Sequence, residues 1–98
     1  MLLKAVDRAL LLLIAMGEKG EMSVSEAATH LRVDRATASR LFSTLAARGF
    51  VSPSGDKGWY RLGPEMARLG HSYLERLDLR SVARPYLSEL QRLSGETA

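Results

Sequence analysis

The chain has 98 residues, with 14 Lys and Arg against 11 Asp and Glu, a formal charge of +3 and no cysteine. That length suffices for one small domain that buries roughly 60% of its unfolded surface, and it leaves no room for a second sizeable core. Without cysteine there is neither a disulfide framework nor a thiolate metal site, and the apolar run Ala9 to Met16 falls far short of the roughly 18 residues that cross a bilayer.

In chain order, residues 4–16 read as a first helix, apolar almost all round over its last two turns. Such a helix is buried on more than one side: one side covers the domain core and the other calls for a partner subunit. Asp7 in the flank, and the lack of a small-residue cleavage site before Glu18, argue against a signal peptide. A soluble cytoplasmic protein is expected. Gly17 and Gly20 are expected to close the helix.

Ser23-Val24-Ser25-Glu26 is a capping box, in which Ser23 takes the amide of Glu26 while Glu26 reaches back, so a second helix is predicted over 24–31. Arg32 and Val33 make the turn. Asp34 is a competent N-cap for a third helix, which ends at Gly49, a residue suited to a left-handed terminator. At 100° per residue, Ala38, Leu41, Phe42 and Leu45 share one face, and Ala36, Arg40, Ser43 and Ala47 the opposite one. The outward face is thus small residues around one arginine, where a solvated helix would carry Glu and Lys. A face this flat fits against a wall of base edges, although packing on another protein is the competing use.

After Gly49, the runs Phe50 to Pro53 and Trp59 to Leu62 flank a polar tip, Ser54 to Gly58, which is the pattern of a β-hairpin. Alternation turns Tyr60 and Leu62 inward and Trp59 and Arg61 outward. Pro64 suits the first position of a further helix, with a stripe of Met66, Leu69, Gly70, Tyr73, Leu74 and Leu77. Asp78 starts another, with Leu79, Val82, Ala83, Tyr86, Leu87, Leu90 and Leu93 as its stripe and Pro85 as a kink. Met22 and Met66 read as core. These stripes exceed what a sixty-residue unit covers, so a homodimer built from the 4–16 and 64–76 helices is expected.

Charge is unevenly placed. Residues 1–31 carry three basic and four acidic side chains, residues 32–61 six and two, and residues 62–98 five and five. From Arg35 through Gly55 there is no carboxylate. An excess confined to one segment points to an anion-binding surface, and double-stranded DNA is the obvious polyanion. The fold class is therefore mainly α with a small β-hairpin: a winged helix-turn-helix over 1–63, with linker helices over 64–98. In that plan the third helix enters the major groove and the hairpin rides on the neighbouring backbone. Arg35, Thr37, Ser39, Arg40 and Ser43 are the candidate DNA-binding residues of the helix, and Lys57 and Arg61 those of the wing.

The helix-turn-helix, the segment YRLGPEMARLG (Tyr60 to Gly70) and LDLRSVARPYLSELQRLSGET (Leu77 to Thr97) together resemble the N-terminal part of the IclR family of bacterial transcriptional regulators. The most specific pieces are Tyr60-Arg61-Leu62-Gly63 and Leu69-Gly70, with Thr37 and Arg40 inside RATASRLFSTL. The resemblance implies DNA contact by Thr37 and Arg40, and it makes the segment from Leu77 a connector toward a ligand-sensing domain. A small-molecule effector is then implied only for a full-length form, this chain being a domain fragment or a naturally short regulator. Asp34 and Ala36 depart from the family, which usually has Pro and Ser there. Asp34 beside phosphate is unfavourable unless it is tied up as the cap.

No enzyme is expected, because there is no phosphate loop, no nucleophile with a recognisable base and no metal-ligand cluster. His30 and His71 lack a second ligand at helical spacing, so no metal or cofactor is expected. Two readings remain: a sequence-specific DNA-binding regulator that reads a palindromic operator as a dimer, and a winged helix used as a protein-interaction module.

Overall fold

The computed structural model describes residues 1–77. The order of elements is α1 (Lys4–Lys19), β1 (Glu21–Ser23), α2 (Val24–Leu31), α3 (Arg35–Ala47), β2 (Val51–Pro53), β3 (Trp59–Leu62) and α4 (Pro64–Glu75). Three helices with a wing are as expected, and the helix predicted from Asp78 onward lies outside the described residues. Met1–Ala67 forms one compact unit, and a second begins at Arg68 inside α4.

Helix α1 is longer than its apolar run. It continues through Gly17 to Lys19 and stops at Gly20, whose φ of +94° is open to a residue without a Cβ. Gly17 therefore does not end it. The cost of an internal glycine, about 1 kcal/mol, is offset by burial of Leu12, Ala15 and Met16 on the core side. Asp7 in the first turn and Lys19 in the last complement the helix dipole.

Helix α2 opens on the predicted capping box. Ser23 Oγ accepts from the Glu26 amide at 3.0 Å, and Glu26 Oε1 accepts from the Ser23 amide at 3.1 Å. The turn passes through Arg32, which adopts a left-handed φ of 59°. In α3, the Asp34 carboxylate takes the Thr37 amide at 2.8 Å, and the chain reverses after the helix through Gly49 at φ +84°.

The sheet contains a strand that the sequence does not announce. Glu21–Ser23 pairs antiparallel with β3, placing Met22 opposite Tyr60, and β2 pairs with the other edge of β3, for an order β1-β3-β2. Three residues are too few for alternation to register, and this strand exists because β3 offers an edge. The core lies between the sheet and the helices. Leu12, Met16, Met22, Phe42 and Val51 are its largest fully buried side chains, and each contributes about 1.5–3 kcal/mol of apolar burial. Phe42 stacks on Tyr60 with ring centroids 4.3 Å apart, so α3 is fixed directly on the wing.

Two further expectations need correcting. Ser54, placed in the polar tip, is buried, and its hydroxyl donates to Glu21 Oε2 at 2.6 Å. The carboxylate that draws it inward belongs to the unannounced strand. Met66, read as core, is only half-buried, and no residue of α4 is buried.

Candidate nucleic-acid interface

The outward face of α3 is as its phase predicts. Ala36, Arg40, Ser43 and Ala47 are exposed, as are Arg35 and Ser39, while Ala38 and Phe42 are buried and Leu41 and Leu45 half-buried. The Asp34 cap orders the first turn of this surface and ties up its own carboxylate. Asp34 is held below its ordinary value of 3.8, first by the Thr37 hydroxyl, then by the Thr37 amide and, more weakly, by the charge of Arg40. Arg40 Nη2 in turn donates to Thr37 Oγ1 at 3.4 Å. Arg40, Thr37 and Asp34 thus form a series along the first turns of the helix. The Arg40 bond is long, so exchanging it for a base edge or a phosphate costs little.

The wing is pinned at its base. Gly58 carbonyl accepts from the Val24 amide at 2.9 Å, which joins the tip to the start of α2, and the Ser54 amide donates to Trp59 carbonyl at 2.9 Å. This brings Lys57 over the start of α3. Arg35, Ser39 and Lys57 line one cleft of about 530 Å³ together with Val24, Ala36, Gly58 and Tyr60. Among the described residues, no carboxylate lines it.

Arg61 lies elsewhere. It sits opposite Glu21 in the β1–β3 pair and lines a separate cleft with Glu21, Ser54, Asp56 and the half-buried Trp59. Three members of the sequence-predicted set, Arg35, Ser39 and Lys57, therefore share one cleft. Thr37, Arg40 and Ser43 continue along α3, and Arg61 stands apart among acids. Sequence reasoning missed Ser25, whose hydroxyl accepts from Arg35 Nη1 at 2.6 Å. The available signal was that Ser23 already serves as the cap, which leaves the second serine of the box free to face outward.

A second surface is apolar. Val6, Leu10 and Ile14 on α1 are 54%, 53% and 62% exposed. A groove of about 370 Å³ between α1 and α3 is lined by Val6, Leu10, Leu13, Leu41, Leu45 and Phe50, among others. On α4, Leu69 and Tyr73 are exposed. Among the described residues no group of His, Cys, Asp and Glu is arranged to hold a metal, and no helix is long and apolar enough to cross a membrane.

Residues 5–55 match the IclR helix-turn-helix domain. The glycerol operon regulatory protein of Streptomyces griseus is 39% identical over 90 residues, a match that spans 92% of this chain and 35% of that protein. The HTH-type transcriptional repressor AllR of Escherichia coli K12 is 33% identical over 95 residues, spanning 96% and 35% respectively. The crystal structure of an IclR family transcriptional regulator from Brucella abortus superposes with a TM-score of 0.71 at 29% identity, covering 86% of this chain and 32% of that one. The chain thus spans about a third of the length of these proteins.

Proposed function

We infer the function from one premise: the chain belongs to the IclR family of transcriptional regulators and carries its helix-turn-helix domain. It acts as a sequence-specific DNA-binding regulator. Its α3 face enters the major groove, and the wing rests on the neighbouring backbone. The observation that carries this reading is the α3 surface itself: exposed Arg35, Ser39, Arg40 and Ser43 among small residues, with no carboxylate from Arg35 through Gly55 and with Lys57 brought over the same cleft. Arg40, Ser39 and Ser43 are assigned to base edges, Thr37 to the orientation of Arg40, and Lys57 to phosphate. Arg61 is a weaker phosphate contact than its charge implies, because Glu21 stands opposite it.

The working form is a homodimer in which the apolar faces of α1 and α4 meet a second copy. The exposed Val6, Leu10 and Ile14, and Leu69 and Tyr73 on α4, support that assignment. A two-fold dimer reads a palindrome with half-sites about one helical turn, roughly 34–36 Å, apart. Residues 1–63 are the DNA-binding domain, and the segment from 64 onward leads toward a domain through which a small-molecule effector acts in a full-length form. The relatives are regulators rather than enzymes, and a cytoplasmic location follows from such a role.

Selection of bound duplexes from a randomised pool at moderate salt tests the proposal. Enrichment of a palindrome is the expected result. Salt-sensitive retention of every sequence means a phosphate grip without specificity, and no binding at all favours the protein-interaction module.

A further inference from the structure

The cleft between the first turns of α2 and α3 and the wing supports an assignment that rests on the DNA-binding reading above and divides labour within it. Arg35 is the first residue of α3, yet its guanidinium does not follow the outward stripe of that helix. It crosses to α2, where Nη1 donates to Ser25 Oγ at 2.6 Å, ten residues back in the chain. A guanidinium carries five N–H donors, so this bond leaves four for a ligand, and the Ser25 hydroxyl keeps its own hydrogen to donate. Arg35 and Ser25 are both exposed.

Lys57 of the wing lines the same cleft as Arg35. Its position is set by the bond from the Val24 amide to Gly58 carbonyl, 2.9 Å long, which holds the wing tip against the start of α2. Two cations from two elements thus line one cleft, with Ser39 and Tyr60 as further polar groups and, among the described residues, no acid. A fork of donors with a point charge in the same cleft suits a tetrahedral anion.

We propose that this cleft seats one backbone phosphate of the bound DNA, with Arg35 and Lys57 as its ligands and Ser25 as the residue that positions Arg35. Sequence readout then falls on Ser39, Arg40 and Ser43. Holding the long Arg35 side chain in place before DNA arrives removes part of the ordering cost of binding.

The test compares the full chain with R35A, R35K, S25A, S25T and the S25A/R35A double variant, each checked for fold by circular dichroism. Binding is measured across a salt series to a selected operator duplex and to a scrambled duplex. R35A is expected to weaken both duplexes alike, on the order of tenfold, and to flatten the log–log salt slope by about 0.9, the value of one phosphate. R35K keeps the slope. S25A is expected to lose about two- to tenfold, S25T to restore it, and the double variant to be no weaker than R35A alone. A loss by R35A on the operator only makes Arg35 a base reader and overturns the assignment. An unaffected S25A, or losses by S25A and R35A that multiply, overturns the positioning role. A wild-type chain that binds neither duplex removes the DNA-binding reading and this seat with it.

Discussion

Gly63→Ala is the substitution whose outcome the structure predicts most sharply. Gly63 is buried at the junction of the wing and α4, and its φ is not positive, so its lack of a side chain has a packing reason. A Cβ built there lies 2.4 Å from Gly49 carbonyl oxygen, 3.0 Å from Val51 nitrogen and 3.1 Å from Gly49 carbonyl carbon. All three are backbone atoms, so no rotamer relieves the overlap. The same backbone is tied together by the Gly63 amide donating to Phe50 carbonyl at 2.8 Å and the Glu65 amide to Gly49 carbonyl at 3.0 Å. Opening the junction enough to fit a methyl group costs about 1–3 kcal/mol of overpacking plus about 1 kcal/mol for a weakened hydrogen bond. The entropic gain of replacing glycine, about 0.4–1 kcal/mol, is smaller. A net loss of about 2–3 kcal/mol shifts the Tm of so small a domain by roughly 10–20 °C. Gly17 is the matched control, an internal helical glycine with nothing within 4 Å of an added Cβ. Gly17→Ala is expected to raise Tm by a few degrees, since alanine is favoured in a helix by about 1 kcal/mol. Thermal melts followed by circular dichroism at 222 nm measure both. A G63A melt within about 3 °C of wild type would refute the close approach of β2, Gly49 and the start of α4.

Three further outcomes are expected. Arg40→Ala should weaken operator binding by about 1–3 kcal/mol and relax preference at one base position if Arg40 reads a base; an equal loss on every sequence would reassign it to phosphate, and no loss would remove it from the interface. Asp34 and Glu26 are both held below their ordinary values of 3.8 and 4.5 by the bonds that cap α3 and α2. The stability they contribute is therefore complete above those values and lost as pH falls below them through the depressed folded-state values. Urea melts between pH 6 and pH 2.5 should show this loss reduced in Asp34→Asn, which keeps the cap but not the titration; an unchanged acid dependence would mean that the cap does not couple to folding. Leu10→Lys with Ile14→Lys should leave a folded monomer by light scattering at tens of micromolar, where the wild-type chain is expected to have the mass of a dimer, and a wild-type monomer mass under those conditions would count against the dimer.

Most of the helical framework was legible in the sequence because its signals are local. Ser23 with Glu26, and Asp34 ahead of an apolar stripe, carry their partners within one turn, so both helix starts follow from spacing alone. The outward face of α3 was legible for the same reason, since Ala36, Arg40, Ser43 and Ala47 are placed by the period of a helix whose buried side is set by Ala38 and Phe42. Gly17 misled because glycine breaks helices only on average, and burial of its neighbours outweighs its cost here.

What the tertiary structure decided are the pairings between segments far apart in the chain. β1 is a strand because β3 lies beside it; Ser54 is buried because that strand brings the Glu21 carboxylate over it; and Arg61 stands opposite an acid because of the same register. The turn between α2 and α3 likewise brings Ser25 under the guanidinium of Arg35, and the wing carries Lys57 to the cleft that Arg35 lines. Local periodicity states which face a residue occupies, and it contains nothing about which other face will be brought against it. That is settled only when the chain closes on its core and the hydrogen bonds and charges left at the edges find one another.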